Sequence, residues 1–143
     1  VLGATIQRCR VHFMRNALAC VGKKDRPIVT AALRTAFDQD TPADSKDQWA
    51  KLIEAFQPRH SKLAELMLRA EDDVLAYKTF PQARWRQIHS TNPLERLNKE
   101  IKRRTNVVGI FPNEAAIRRL VGALMLEQND EWAVTRLYMT LET

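Results

Sequence analysis

The feature that most constrains the fold is a succession of segments whose apolar residues recur at helical spacing, with helix-starting residues between them. In Thr41-Pro42 and Asn92-Pro93, a side chain that can cap a helix precedes a proline suited to the first helical turn. Phe80-Pro81 is typical of a helix end. The pattern predicts a mainly α chain.

The spacing places the helices as follows: residues 11–21, Pro27 to about Phe37, Pro42 to near Pro58, about Ser61 towards Tyr77, Gln82 to Ile88, Asn92 to about Thr105, and a long one after Asn113. Residues 107–111 form a β-prone linker. The penultimate helix should bury Leu94, Leu97 and Ile101 on one stripe. The last should bury Ile117, Leu120, Val121, Leu124 and Met125, break at Asn129-Asp130, and continue the stripe through Trp132, Leu137 and Tyr138.

One segment has a different pattern. Residues 5–9, Thr-Ile-Gln-Arg-Cys, alternate loosely between apolar and polar, which predicts a single short strand. A lone strand leaves its backbone hydrogen-bonding groups without partners. We therefore expect it to belong to a sheet whose other strands lie upstream of Val1.

Composition narrows the class of protein. The chain of 143 residues is 45% hydrophobic and 28% charged, which is ordinary for a soluble domain with its own core. No apolar run approaches the roughly 18–20 residues of a membrane span, and no secretory signal is visible. The two cysteines do not make a disulfide framework. We expect a cytoplasmic protein that does not enter a membrane.

The net charge of +6 is unevenly distributed. Residues 1–26 hold six basic residues against one acid, and residues 81–104 hold seven against two. The segments between and after these blocks are slightly acidic. Two basic blocks that converge on a polyanion such as DNA would explain this, but two solvated faces would explain it equally well.

The sequence contains no glycine-rich phosphate loop, Ser-His-Asp order or HExxH motif. Its first candidate for chemistry is Glu95, a carboxylate in a helix rich in lysine and arginine, where it could ligate a divalent ion. The spacing from Asn92 to Glu95 also fits a capping box, in which Glu95 stabilises the start of its own helix. On spacing alone, this capping role is favoured over the role of metal ligand. Lys99, Lys102 and the following arginines could hold phosphates or be a solvated face.

The second candidate is the Cys9-x-x-His12 pair, which could supply half of a zinc site. No second pair follows at suitable spacing, since His60 and His89 stand alone. The sequence therefore does not favour a structural zinc site.

These motifs resemble the mutator-type transposases of bacterial insertion sequences. The resemblance rests on residues 7–16 (QRCRVHFMRN) and 90–104 (STNPLERLNKEIKRR), with support from 109–114, 120–123 and 129–132, and it covers nearly the whole chain in order. It implies the C-terminal part of a ribonuclease H-like catalytic domain with an Asp, Asp, Glu triad. Residues 1–21 would end the core, 22–81 form a helical insertion, and 82–143 carry the catalytic Glu.

By this resemblance Glu95 is the third catalytic and metal-binding carboxylate, and both aspartates should lie upstream of Val1. The implied chemistry is two-metal phosphoryl transfer with Mg²⁺ or Mn²⁺. Because a pair of ions needs several carboxylates, we expect this chain alone to be inactive. Asn92 and Asn98, like Cys9 and His12, belong to the family's motifs without a clear role.

The resemblance also implies that the protein binds double-stranded DNA, both the terminal inverted repeats of the mobile element and the target DNA. It further implies a homodimer located at the bacterial nucleoid. The residues expected to contact the DNA backbone are Arg84, Arg86, Arg96, Lys99, Lys102, Arg103 and Arg104. Two other readings stay open at this point: a non-catalytic helical DNA-binding module, and a decayed remnant of an insertion sequence.

Overall fold

The computed structural model describes residues 3–140 of the chain, with side chains up to residue 134. The helices are α1 (Arg10–Ala19), α2 (Arg26–Phe37), α3 (Pro42–Phe56), α4 (Ser61–Leu75), α5 (Trp85–Ile88), α6 (Asn92–Val108) and α7 (Glu114–Thr140). Short 3-10 turns occupy Ala76–Thr79 and Gln82–Arg84 between α4 and α5. The described residues contain no strand, so the prediction of a mainly α chain is confirmed. The chain forms two compact units, Val1–Thr91 and Asn92–Thr143.

Trp49 of α3 lies at the centre of the first unit. Its side chain is fully buried, and its indole Nε1 donates a hydrogen bond to the Met67 carbonyl of α4 at 3.1 Å. The rings of Phe13 from α1 and Phe37 from α2 lie 5.4 and 5.8 Å from the Trp49 ring. One side chain thus brings four helices together through burial and a satisfied polar group.

Two predicted helix starts are confirmed by their side-chain caps. The backbone N–H of Asp44 donates to Thr41 Oγ1 at 3.1 Å at the start of α3. At the start of α7, the N–H of Ala116 donates to Asn113 Oδ1 at 2.9 Å. Each cap satisfies one backbone donor that the first turn of a helix leaves without a partner.

The strand predicted for residues 5–9 is wrong, because this segment has no regular secondary structure up to the start of α1. Among the described residues, its long-range hydrogen bonds join it to the end of α4, to the turn after α4 and to Thr91. The Arg8 N–H donates to the Asp73 carbonyl at 2.8 Å, and the Gln7 side chain donates to the Val74 carbonyl at 3.0 Å. Gln7 Oε1 also accepts a hydrogen bond from the Tyr77 N–H at 2.6 Å. A helix end thus provides the partners that the sequence pattern assigned to a sheet.

In the second unit, α6 continues to Val108, past the predicted end near Thr105 and into the segment read as a β-prone linker. The Thr105 hydroxyl bonds back to the Ile101 carbonyl at 2.9 Å, so this β-branched residue fits within the helix. Gly109 then ends α6 with a positive φ of 76°, which other residues rarely adopt.

The last helix, α7, runs without interruption through Asn129 and Asp130, so the predicted break is wrong. Asn and Asp cost only a few tenths of a kcal/mol in a helix, and Gln128 Nε2 donates to Glu131 Oε2 at 3.0 Å across this point. The predicted stripe is confirmed in part. Leu124 is buried, Leu120 and Val121 are half-buried, and Ile117, Met125 and Trp132 are exposed; the side chains of Leu137 and Tyr138 lie outside the described residues.

Candidate functional site

The outer face of α6 presents Glu95, Lys99 and Lys102. At about 100° per residue, these three positions lie within about 60° of one another around the helix axis. All three side chains are exposed. Arg96 and Asn98, also exposed, flank them on opposite sides. One carboxylate and two ammonium groups thus project from a single helical face, which we call the Glu95 face.

The opposite side of α6 carries the half-buried residues Leu97, Glu100, Ile101 and Arg104. Contacts within the second unit lie on this side, where Arg104 Nη1 is 3.4 Å from Glu127 Oε2 of α7. The predicted buried stripe is therefore wrong in part, because Leu94 is 56% exposed and α6 has no fully buried residue. The stripe turns towards Glu100 and Arg104, which leaves Glu95 well away from it.

Two of the predicted DNA-contacting residues are engaged in ion pairs within the helix. Both Glu100 oxygens accept hydrogen bonds from Arg103, at 2.9 and 2.8 Å, and Oε1 also accepts one from Arg104 at 2.8 Å. Bonds from Arg103 first, and then from Arg104, lower the pKa of Glu100 to about 2. Glu100 therefore partly neutralises the positive charge of both arginines.

Arg96, Lys99 and Lys102 differ from those arginines. Within the described part of the chain, no ion pair involves any of the three. Exposed cations of this kind attract counterions, and binding to phosphates releases those counterions.

Arg84 and Arg86 belong to the first unit, on either side of Trp85. The Trp85 indole donates to the Phe80 carbonyl at 2.8 Å, and its ring lies edge-on to Tyr77 at 5.8 Å. Arg84 is half-buried and Arg86 is exposed. Arg84 thus ends a 3-10 turn and Arg86 lies in α5, so both belong to the first unit, whereas the other predicted DNA-contacting residues lie on α6 in the second.

A buried cation beside Trp85 was not predicted from the sequence. Lys78 is buried, its ammonium lies 3.9 Å from the Trp85 ring centroid, and it donates to the Gln39 carbonyl. Burial first, and then the nearby charge of Arg10, lower the pKa of Lys78. The sequence signal was a lysine between two aromatic residues, Tyr77 and Phe80, at the end of an amphipathic helix.

In the Cys9-x-x-His12 pair, Cys9 is buried just before α1, while His12 is exposed on that helix. Cys9 Sγ accepts hydrogen bonds from the N–H and the hydroxyl of Thr91, at 3.4 and 3.5 Å. Burial raises the pKa of Cys9, but hydrogen bonds from the His12 amide, the Thr91 hydroxyl and amide, and the His12 side chain outweigh it and lower the pKa to about 6. Thr91 was not among the predicted residues.

The described residues do not by themselves form a metal centre. Among them, no three His, Cys, Asp or Glu side chains are grouped so that they could hold an ion. A two-metal centre needs several carboxylates around ions roughly 3.5–4 Å apart. Glu95 alone therefore cannot hold a pair of metal ions.

Comparison with known proteins places the chain in a family. The family model described as "Transposase, Mutator family" matches residues 1–135. The chain belongs to the mutator family of transposases.

The chain is 43% identical to the transposase for insertion sequence element IS1081 of Mycobacterium tuberculosis, over 99% of its own length and 35% of that protein. It is 34% identical to the transposase for ISRM5 of Rhizobium meliloti, over 97% of its length and 35% of that protein. It is 33% identical to the transposase for IS256 in transposon Tn4001 of Staphylococcus aureus, over 88% of its length and 33% of that protein. The chain thus spans about a third of these relatives. No solved structure matches it. No described helix is long and apolar enough to span a membrane.

Proposed function

We propose that this chain is the C-terminal part of a DNA transposase that cuts and joins DNA at the ends of a mobile element. Glu95 would supply one carboxylate of an Asp-Asp-Glu centre in a ribonuclease H-like domain. The observation that carries the proposal is the Glu95 face, where an exposed carboxylate projects from the same side of α6 as Lys99 and Lys102, opposite the side that packs within its unit.

The charges on this face suit DNA. A phosphate backbone attracts Lys99 and Lys102 without any base contact, and such contacts position a protein without reading sequence. Repulsion between Glu95 and the same backbone is the opposing effect. A carboxylate on a DNA-facing surface is therefore costly unless it has a task of its own, such as binding a divalent ion between itself and the phosphates.

The remaining carboxylates would come from residues outside this chain. We therefore expect the isolated chain neither to cut nor to join DNA, and Mg²⁺ or Mn²⁺ to be held only in the longer protein. A homodimer that brings two element ends together is part of the same proposal.

The test is Glu95→Gln in the longer transposase, assayed for cleavage and joining of terminal-repeat DNA with Mg²⁺. Glutamine keeps the size of the side chain but removes its charge, so activity should be lost while DNA binding is retained. The matched control is Glu114→Gln, because Glu114 is also an exposed glutamate in the first turn of a helix, α7.

If Glu95 only stabilises the start of its helix, both variants should keep nearly full activity. That outcome would support a non-catalytic DNA-binding module in place of the catalytic assignment. Loss of activity in the Glu95 variant alone supports the catalytic role.

A further inference from the structure

The Cys9-x-x-His12 motif has no task in the chemistry proposed above, yet its cysteine lies at a junction in the first unit. Residues 7–10 link two separate places in that unit. On one side, Gln7 and Arg8 bond to the end of α4 and the turn after it. On the other, Cys9 and Arg10 bond to residues 89–91, directly before α6.

The contacts with residues 89–91 lie side by side. The Arg10 N–H donates to the His89 carbonyl at 2.8 Å. Thr91 donates its N–H and its hydroxyl to Cys9 Sγ at 3.4 and 3.5 Å. Ser90 between them is buried. Three hydrogen bonds therefore hold a segment that is 82 residues away in sequence.

We propose that Cys9 is a positioning residue whose sulfur holds Thr91, and with it the point at which the chain enters the helix that carries Glu95. The sulfur acts from the N-terminus of α1, where backbone N–H groups favour an anionic acceptor. The relevance of this anchor to DNA joining rests on the proposed function, but the anchor itself does not.

A charged acceptor matters because hydrogen bonds to ionised groups are stronger than those to neutral ones. A neutral thiol is a weak acceptor, whereas the thiolate binds both Thr91 donors well. The same hydrogen bonds from Thr91 contribute to the lowered pKa of Cys9. Other titratable groups on the elements that meet here are His12 and Arg10 of α1, His89 before Thr91, and Asp73 at the end of α4.

The first experiment uses this chain with Cys20→Ser, so that Cys9 is its only thiol. The Thr91 amide is followed by NMR while the pH is varied from about 5 to 8, a range in which an ordinary thiol stays protonated. We expect the amide shift to titrate with a midpoint of about 6. In Cys9→Ser all three histidines remain, so any titration that survives there does not come from Cys9.

Substitutions at both ends of the contact make the test sharper. Thr91→Val removes one donor and should raise the midpoint of the Cys9 thiol. Cys9→Ala should speed hydrogen exchange of the Thr91 amide by about tenfold or more. Cys9→Asp keeps an anionic acceptor and should restore most of the protection. If Asp and Ala behave alike, or if the Thr91 amide does not titrate with Cys9, the proposal is wrong.

In the longer transposase, the rate of joining should fall as the pH drops below about 6, and Cys9→Asp should move that fall to lower pH. An unchanged pH profile in Cys9→Asp would contradict the positioning role. Failure of the catalytic assignment of Glu95 is distinguishable, because it would leave the titration of the Thr91 amide in the isolated chain intact.

Discussion

Neutralising the two lysines of the Glu95 face should weaken DNA binding in a way that depends on salt. The perturbation is the double variant Lys99→Gln, Lys102→Gln, which removes two exposed cations that make no ion pair among the described residues. Each phosphate contact contributes about 0.9 to the slope of log affinity against log salt. The double variant should therefore lower the slope by about 1.8.

This slope has a direct consequence for affinity. Between about 50 and 200 mM salt, the unmodified chain should lose about tenfold more affinity for duplex DNA than the double variant. Fluorescence anisotropy with a labelled duplex, at several salt concentrations, measures both slopes. The affinity itself should change similarly for unrelated sequences, because phosphate contacts carry no base information.

Arg103→Gln is the matched control, since it removes one positive charge from the same helix. Arg103 is already held by both oxygens of Glu100, so its loss should change the slope much less than the loss of either lysine. An unchanged slope in the double variant would contradict phosphate binding by Lys99 and Lys102. A slope lowered as much by Arg103→Gln as by a lysine substitution would contradict the neutralisation of Arg103 by Glu100.

Two predictions concern stability. Trp49→Ala should lower the free energy of unfolding by about 3–5 kcal/mol, measured by urea denaturation, because it leaves a cavity where four helices meet; a loss under about 1 kcal/mol would contradict the central role of this residue. The stabilisation from the Glu100 pairs should be fully present above the ordinary carboxyl pKa of 4.5 and be lost as the pH falls towards about 2. Glu100→Gln should remove that part of the acid dependence of thermal unfolding; an unchanged dependence would show that the pairs contribute nothing.

Local features of the chain were predictable because their causes are local. The caps at Thr41 and Asn113 bring a side chain and a backbone N–H only a few residues apart, so the residue types suffice to predict them. Neighbouring residues likewise predict that Glu95 lies in the first turn of α6 and that residues 92–104 are basic.

Features that depend on distant partners were not predictable. The alternation in residues 5–9 indicated a strand, but the hydrogen bonds of Gln7 and Arg8 go to the end of α4, more than sixty residues further along the chain. Leu94 fits an apolar stripe by spacing, yet the side of α6 that packs is centred on Glu100 and Arg104. Periodicity shows which residues share a face, but it does not show which face meets a neighbour.

The amino-acid sequence alone was enough to predict that this protein is helical and that its motifs are those of the mutator transposases, because helix periodicity, caps and motifs depend on neighbouring residues. The packing of the helices decided that the side of α6 bearing Glu95, Lys99 and Lys102 is exposed, and that Cys9 accepts hydrogen bonds from Thr91. The physical reason is that burial and long-range hydrogen bonds depend on which surfaces meet when the helices pack.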